Sequence, residues 1–210
     1  MYLGVNAMPV YLDYNASAPF PKGLSGELES LISQYGNPAS LHSSGRSARR
    51  LINQATENAA AFLDIDAEFI YWTSGASEAN SWAVHSAVEY ARSKNLKPRL
   101  LISAIEHESV QLAAKFHEAC GAELKIIPVT KNGVIDLEWL KNLLATDANW
   151  SLISVMHANN ETGVIQPVEQ VVAAAKAHLI PTHVDCVQTL GKMPLSVRKI
   201  GATYTTFSAH

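Results

Sequence analysis

His183-Val184-Asp185-Cys186-Val187-Gln188 is the stretch on which the reading of the fold turns. An apolar strand here delivers an acid and an amide to its carboxyl end. Open α/β sheets bind their ligands in the crevice beyond such strand ends. A carboxylate that follows a buried strand is costly unless something cationic meets it. A ring nitrogen held in its protonated form is one candidate. A structural salt bridge or a helix cap accounts for this stretch equally well, so the rest of the chain has to decide.

Outward from this stretch, strands and helices alternate. Apolar runs predict strands at 69–72, 100–104, 124–129, 152–156, 182–184 and 203–207, with helical spacing near 76–93, 108–120, 136–145 and 167–179. Such alternation implies an α/β fold, a mostly parallel sheet with helices on both faces and right-handed crossovers. Before it, 10–14 reads as a short strand and 22–34 as a helix. Gly36 and Pro38 then break the chain, and 47–63 is a longer helix.

Composition narrows the classes. The 210 residues are 48% hydrophobic and 17% charged with a net charge of −3, which describes a globular protein and argues against nucleic acid as the main partner. The cluster Arg46, Arg49, Arg50 lies in a helical pattern, where a solvated helix face explains it. Cys120 and Cys186 make neither a disulfide framework nor a zinc pattern, so reduced thiols, no metal and a cytoplasmic location are expected. The first fifteen residues lack a basic leader, and no apolar run is long enough to span a bilayer.

Three more strand ends carry chemistry. Thr73-Ser74-Gly75-Ala76-Ser77-Glu78 opens a helix, where free N–H groups and the helix dipole make an anion site, although Ser74 as a plain N-cap is the simpler reading. Glu106-His107 follows the next strand. A His there can stack on a flat cofactor and shuttle protons, or be an ordinary surface residue. Met156-His157-Ala158-Asn159-Asn160-Glu161-Thr162-Gly163 offers paired amides that can serve an oxygen of a ligand or satisfy their own turn. Four strand ends converging on one sheet edge favour a single site over four separate coincidences.

Together with Tyr11-Leu12-Asp13-Tyr14, Gly36-Asn37-Pro38-Ala39-Ser40-Leu41-His42 and Ser208-Ala209-His210, these stretches occur in the order and spacing of a known family. The chain resembles the N-terminal half of the class V aminotransferases, pyridoxal-phosphate enzymes of fold type I, and within them the cysteine desulfurases. The resemblance implies that Asp185 pairs with the pyridinium nitrogen. It implies that Gln188 and Asn160 bond the phenolic oxygen or the substrate carboxylate, and that His107 stacks on the ring as catalytic acid/base. Gly75, Ala76, Ser77, Ser208 and His210 would hold the phosphate. Ser77 stands where Thr is commoner in the family, and Ala209 where Gly is usual. Cys186 is expected to be structural, since a thiol beside a carboxylate ionises poorly.

The resemblance places the Schiff-base lysine directly after His210. It puts the sulfur-accepting cysteine and the substrate-binding arginine further on. It divides the chain into an N-terminal arm, 1–15, and the first part of the large cofactor domain, 16–210. It implies conversion of L-cysteine to L-alanine with sulfur held as an enzyme persulfide, a homodimer, and a sulfur-acceptor protein in a process such as iron–sulfur cluster assembly. Another class V activity, such as a selenocysteine lyase, and a non-catalytic fragment are the alternatives.

Overall fold

The computed structural model describes residues 10–209. The chain divides into two compact units, one through Asn53 and one from Gln54 to Ala209.

In the first unit a 3₁₀ turn, Lys22–Leu24, leads into α1, Ser25–Ile32, within the expected helix 22–34. The strand expected at 10–14 is absent. The Asp13 carbonyl instead accepts the N–H groups of Ala16 and Ser17, both at 3.2 Å, and the Tyr11 hydroxyl donates to the Asp13 and Ser17 carbonyls. Backbone groups committed to a turn cannot also build a ladder. The next helix, α2, spans Ser43–Leu63 and starts four residues earlier than expected. Its first turn lies against the 36–40 loop so closely that a Cβ on Gly45 would fall 2.3 Å from the Ser40 carbonyl oxygen, and only glycine fits. Arg46 and Arg49 donate to the carbonyls of Leu41 and Pro38, so this basic cluster fastens a loop.

The second unit is built on α3 (Ala76–Ser93), β1 (Arg99–Ser103), α4 (Glu108–Ala119), β2 (Glu123–Ile127), α5 (Leu137–Thr146), β3 (Leu152–Ser154), α6 (Val168–Lys176), β4 (Thr182–Asp185), α7 (Val197–Ile200) and β5 (Tyr204–Thr206). The five strands are all parallel, in the order β2-β1-β3-β4-β5. Strand direction reverses its progress across the sheet between β1 and β3, the switch point at which such sheets open a crevice.

Alternation along the strands sorts the two faces. Leu100, Ile102 and Leu152 pack with Val84, Ala87, Val88, Val110 and Ala114 of α3 and α4. Leu101, Ile153, Val155, Val184 and Cys186 pack with residues of α5, α6 and α7, among them Leu140, Val172 and Ile200. Helices therefore cover both faces, as expected.

Two local expectations fail. The run 69–72 is not a strand: Ala67–Phe69 is a 3₁₀ turn, and Tyr71 and Trp72 are exposed. No described strand offers them a ladder, and β propensity without a partner does not make a strand. Conversely α7 lies where no element was expected. It is a single turn, made by its caps: Ser196 accepts from the Lys199 N–H, and Gly201 closes it at φ 65°.

The amino edge of the sheet is held by Arg99. Its guanidinium pairs with Glu123 at 2.9 Å and Asp147 at 2.7 Å and stacks 4.1 Å above the Trp150 ring. Hydrogen bonds from Arg99 hold the Asp147 carboxyl down at about 2. A depressed folded value means that this stabilisation is complete above the ordinary carboxylate range and is lost as pH falls towards 2. Arg99→Leu is expected to destabilise the complete protein by about 1–2 kcal/mol at pH 7. Thermal melts should show the gap between variant and parent closing as pH falls below about 4.

Candidate functional site

Because the sheet is all-parallel, the carboxyl ends of β1, β3, β4 and β5 share one edge. His107, Asn160, Asp185 with Gln188, and Ser208 follow these four strands in turn. Three of the four stretches expected to converge do so among the described residues, after β1, β3 and β4; the fourth, 73–78, follows no strand and opens α3 instead. His210 lies outside the described residues.

Asp185 closes β4 and is buried. One carboxylate oxygen accepts from the Asn80 side-chain amide at 2.8 Å, and the other from the Val187 N–H at 2.9 Å. Among the described residues no Lys, Arg or His forms an ion pair with it. The salt-bridge reading of this stretch therefore fails. Asp185 is a buried anion supported only by neutral donors, which is the condition under which a cationic ligand gains most.

The α3 amino terminus supplies the complementary feature. Its N-cap is Gly75, which has no capping side chain, so the first-turn N–H groups of Ala76 and Ser77 keep their outward donors. The expected Ser74 cap is not formed; the Ser74 N–H donates instead to Glu78 at 2.6 Å. A Cβ on Gly75 would meet no atom within 4 Å, so the space before the helix is open. Ser77, exposed in the first turn, presents a hydroxyl there.

His107 is both exposed and structural. It is the N-cap of α4, its Nδ1 accepting from the Ser109 N–H at 3.1 Å and lying 2.8 Å from the Ser109 hydroxyl. A cap of this kind fixes the ring's orientation while leaving the opposite nitrogen, Nε2, for a ligand.

The paired amides divide their work. The Asn159 side-chain oxygen accepts from the N–H groups of Glu161 and Thr162 and from the Thr162 hydroxyl, while its nitrogen donates to the Ile105 carbonyl at 3.1 Å. Asn159 therefore builds the turn. Asn160, half-buried beside it, donates to Glu161 at 3.0 Å. Gln188 is half-buried in the turn after β4 and accepts from Lys192. Ser208 is half-buried just beyond β5. Cys186 is fully buried in the core, and burial pushes its thiol up to about 12, as a structural cysteine requires.

Sequence reading passed over the groups behind this front. Asn80 joins Asp185, Ser109 and Thr206; His183 joins Ser154 and Thr206; Glu106 joins Ser103, Ser154 and the Met156 N–H. All of these side chains except Ser109 are buried. A usable signal did exist: Ser154, His183 and Asp185 are polar residues at inward positions of otherwise apolar strands.

An open helix N-terminus beside a buried carboxylate without a cationic partner among the described residues, at the carboxyl edge of a parallel sheet, suits a ligand that is anionic at one end and cationic at the other. The comparisons agree with that class. The chain belongs to the family Aminotransferase class-V, whose family model matches residues 10–210. It is similar to the cysteine desulfurase IscS of Dictyoglomus turgidum, 37% identical over 202 residues, which are 96% of this chain and 50% of that protein. It is also similar to the human cysteine desulfurase, 34% identical over 96% of this chain and 44% of that one. Among solved structures, a NifS-like protein superposes with a TM-score of 0.90 at 36% identity, over 97% of this chain and 55% of that one. A structure titled SspA in complex with cysteine gives 0.85 at 31% identity, over 95% and 57%. The chain spans about half the length of the curated relatives it matches.

Asn80→Leu strips Asp185, Ser109 and Thr206 of a shared partner inside the fold. It is expected to cost about 2–3 kcal/mol, read from chemical denaturation of the complete protein. Asp185→Asn removes a buried charge and should cost less than Asn80→Leu.

Proposed function

We propose that the complete protein is a pyridoxal-phosphate-dependent cysteine desulfurase, converting L-cysteine to L-alanine and passing the sulfur to one of its own cysteines as a persulfide. The observation that carries this reading is Asp185: a buried carboxylate at the carboxyl edge of the sheet with no cationic partner among the described residues, on the same edge as an uncapped helix N-terminus. The donor set suits the cofactor, which carries a ring nitrogen at one end and a phosphate at the other. When bound, that group supplies an electron sink for the bonds around the amino acid's Cα.

This chain's own residues do the rest. Asp185 meets the ring nitrogen and holds its proton. Ala76 through its N–H, and Ser77 and Ser208 through their hydroxyls, take the phosphate; Gly75 keeps the approach clear, and His210 joins them. Asn160 and Gln188 orient the phenolic oxygen or the substrate carboxylate. His107, its ring held by Ser109, covers the ring face and carries a proton at Nε2 for transfer to or from the substrate. Relatives named cysteine desulfurases support the substrate, as does the relative solved with cysteine. A homodimer, a cytoplasmic location and a sulfur-acceptor protein, in iron–sulfur cluster assembly, complete the proposal.

Incubating the complete protein with L-cysteine is expected to release alanine and leave the protein heavier by one sulfur atom in its intact mass. Asp185→Ala should slow alanine release by about a hundredfold or more. Absence of both alanine and the added sulfur overturns the reading, and alanine from selenocysteine alone reassigns the substrate.

A further inference from the structure

Behind Asp185 the buried side chains form one continuous path: Glu106, Ser154, His183, Thr206, Asn80, and from Asn80 a fork to Asp185 and to Ser109 with His107. It runs across the sheet from the end of β1, through inward positions of β3, β4 and β5, to α3 and α4. Hydroxyl and amide groups have fixed numbers of protons and a neutral imidazole has one, so with His183 neutral the direction of each bond can be worked out.

The count starts at the functional end. A carboxylate oxygen only accepts, so the Asn80 nitrogen faces Asp185 at 2.8 Å and Ser109 at 2.9 Å, which leaves the Asn80 oxygen towards Thr206. An amide oxygen has no proton to give, so the Thr206 hydroxyl donates to it. Thr206 must then accept from His183 across 3.1 Å, which places a proton on His183 Nε2. In a neutral imidazole that leaves Nδ1 as an acceptor, taking the proton of the Ser154 hydroxyl 2.8 Å away. The Ser154 oxygen, its only proton given, has to accept from Glu106 Oε2 at 3.3 Å. The other Glu106 oxygen already accepts from the Ser103 hydroxyl and, at 2.7 Å, from the Met156 N–H. The proton of Glu106 therefore sits on Oε2.

At the other branch, the Ser109 N–H points at His107 Nδ1 from 3.1 Å, so that nitrogen accepts. The Ser109 hydroxyl donates to the same nitrogen, and the ring's proton is on Nε2.

We propose that Glu106 and His183 are positioning residues for the cofactor site, a neutral carboxylic acid and a neutral imidazole at the head of a one-way run of donors that ends on Asp185 and His107. The run holds Asp185 as a pure acceptor and as the one unneutralised charge in this part of the core, and it holds the His107 proton on the ligand side. The alternative is proton transfer through Ser154 to give a carboxylate and an imidazolium. It places two charges in a fully buried layer where, among the described residues, Asp185 is the other charged group facing them. Ser103 and Met156 from the β1 and β3 ends, Ser154 on β3 and Thr206 on β5 are neutral. Burial drives both groups to their uncharged forms, Glu106 up to about 7 and His183 down to about 4. The assignment to a cofactor site rests on the pyridoxal-phosphate reading above; the proton count does not.

The test uses the complete protein, ring-¹⁵N-labelled at histidine, with the His183 signals assigned through His183→Gln, at pH 6 before and after adding pyridoxal phosphate. His183 is expected as a neutral ring protonated at Nε2. Glu106→Gln, whose amide can accept and donate at the same two places, should keep those signals and bind pyridoxal phosphate within about threefold of the parent. Glu106→Leu should move the His183 signals and weaken binding by about tenfold. An imidazolium at His183, a proton on His183 Nδ1, or a Gln variant that behaves like the Leu variant overturns the proposal. If Glu106→Leu does not fold, the parent spectrum and the Gln variant decide. Uptake of pyridoxal phosphate, read by absorbance in the same samples, judges the cofactor reading separately.

Raised and lowered groups also give signs for stability. Glu106 binds more protons folded than unfolded between its ordinary range and about 7, so its contribution falls as pH rises through that window. Glu106→Gln should therefore gain melting temperature relative to the parent between pH 5 and 8. A gap that shrinks instead would mean that Glu106 is ionised in the fold.

Discussion

Burying a carboxylate at the end of a strand is the constraint on which this structure depends. Asp185 sits where β4 leaves the sheet, and water is no longer there to solvate it. An isolated buried charge costs several kcal/mol. The fold offsets part of that cost with an amide on α3 and a backbone N–H in the following turn, and among the described residues no cation pairs with it. What remains uncompensated is a standing affinity for a positively charged ligand at that point. α3 and the turn after β4 each reach one of those two oxygens, and Thr206 of β5 holds the Asn80 amide from behind.

The two edges of the sheet divide their labour. At the amino edge Arg99 pairs with both Glu123 and Asp147 and stacks over the Trp150 ring, so its charge is met there. At the carboxyl edge the donors to Asp185 are neutral, and α3 opens with a glycine where a cap would otherwise fill the space. Glu106 adds a mechanical role at this edge. It ties the end of β1 to the end of β3 at the switch point, where a crevice would otherwise weaken the sheet.

Much of this was legible in the chain. Long runs with a clear period, such as 76–93, and apolar strands bounded by turn residues define themselves locally, and α3 fell on its expected residues. The front of the site was legible because acids, amides and histidines at strand ends are conspicuous. Failures arose where the outcome depended on partners remote in sequence. Residues 69–72 have the composition of a strand but no described neighbour to pair with. Residues 10–14 alternate suitably but spend their backbone groups on a turn. The buried run from Glu106 to Asn80 needs five elements assembled before any of its bonds exists. Only its polar residues inside apolar strands hint at it beforehand.

The account stands on Asp185 being held for a cationic ring nitrogen, and affinity measures that most directly. Pyridoxal phosphate would be titrated into the complete protein, freed of cofactor, and into its Asp185→Asn variant, whose folding is checked by its melt. The account predicts binding to the parent and a loss of about tenfold or more in the variant, roughly 1.4 kcal/mol for each factor of ten. Equal affinity, with the same absorbance spectrum for the bound cofactor, would contradict it.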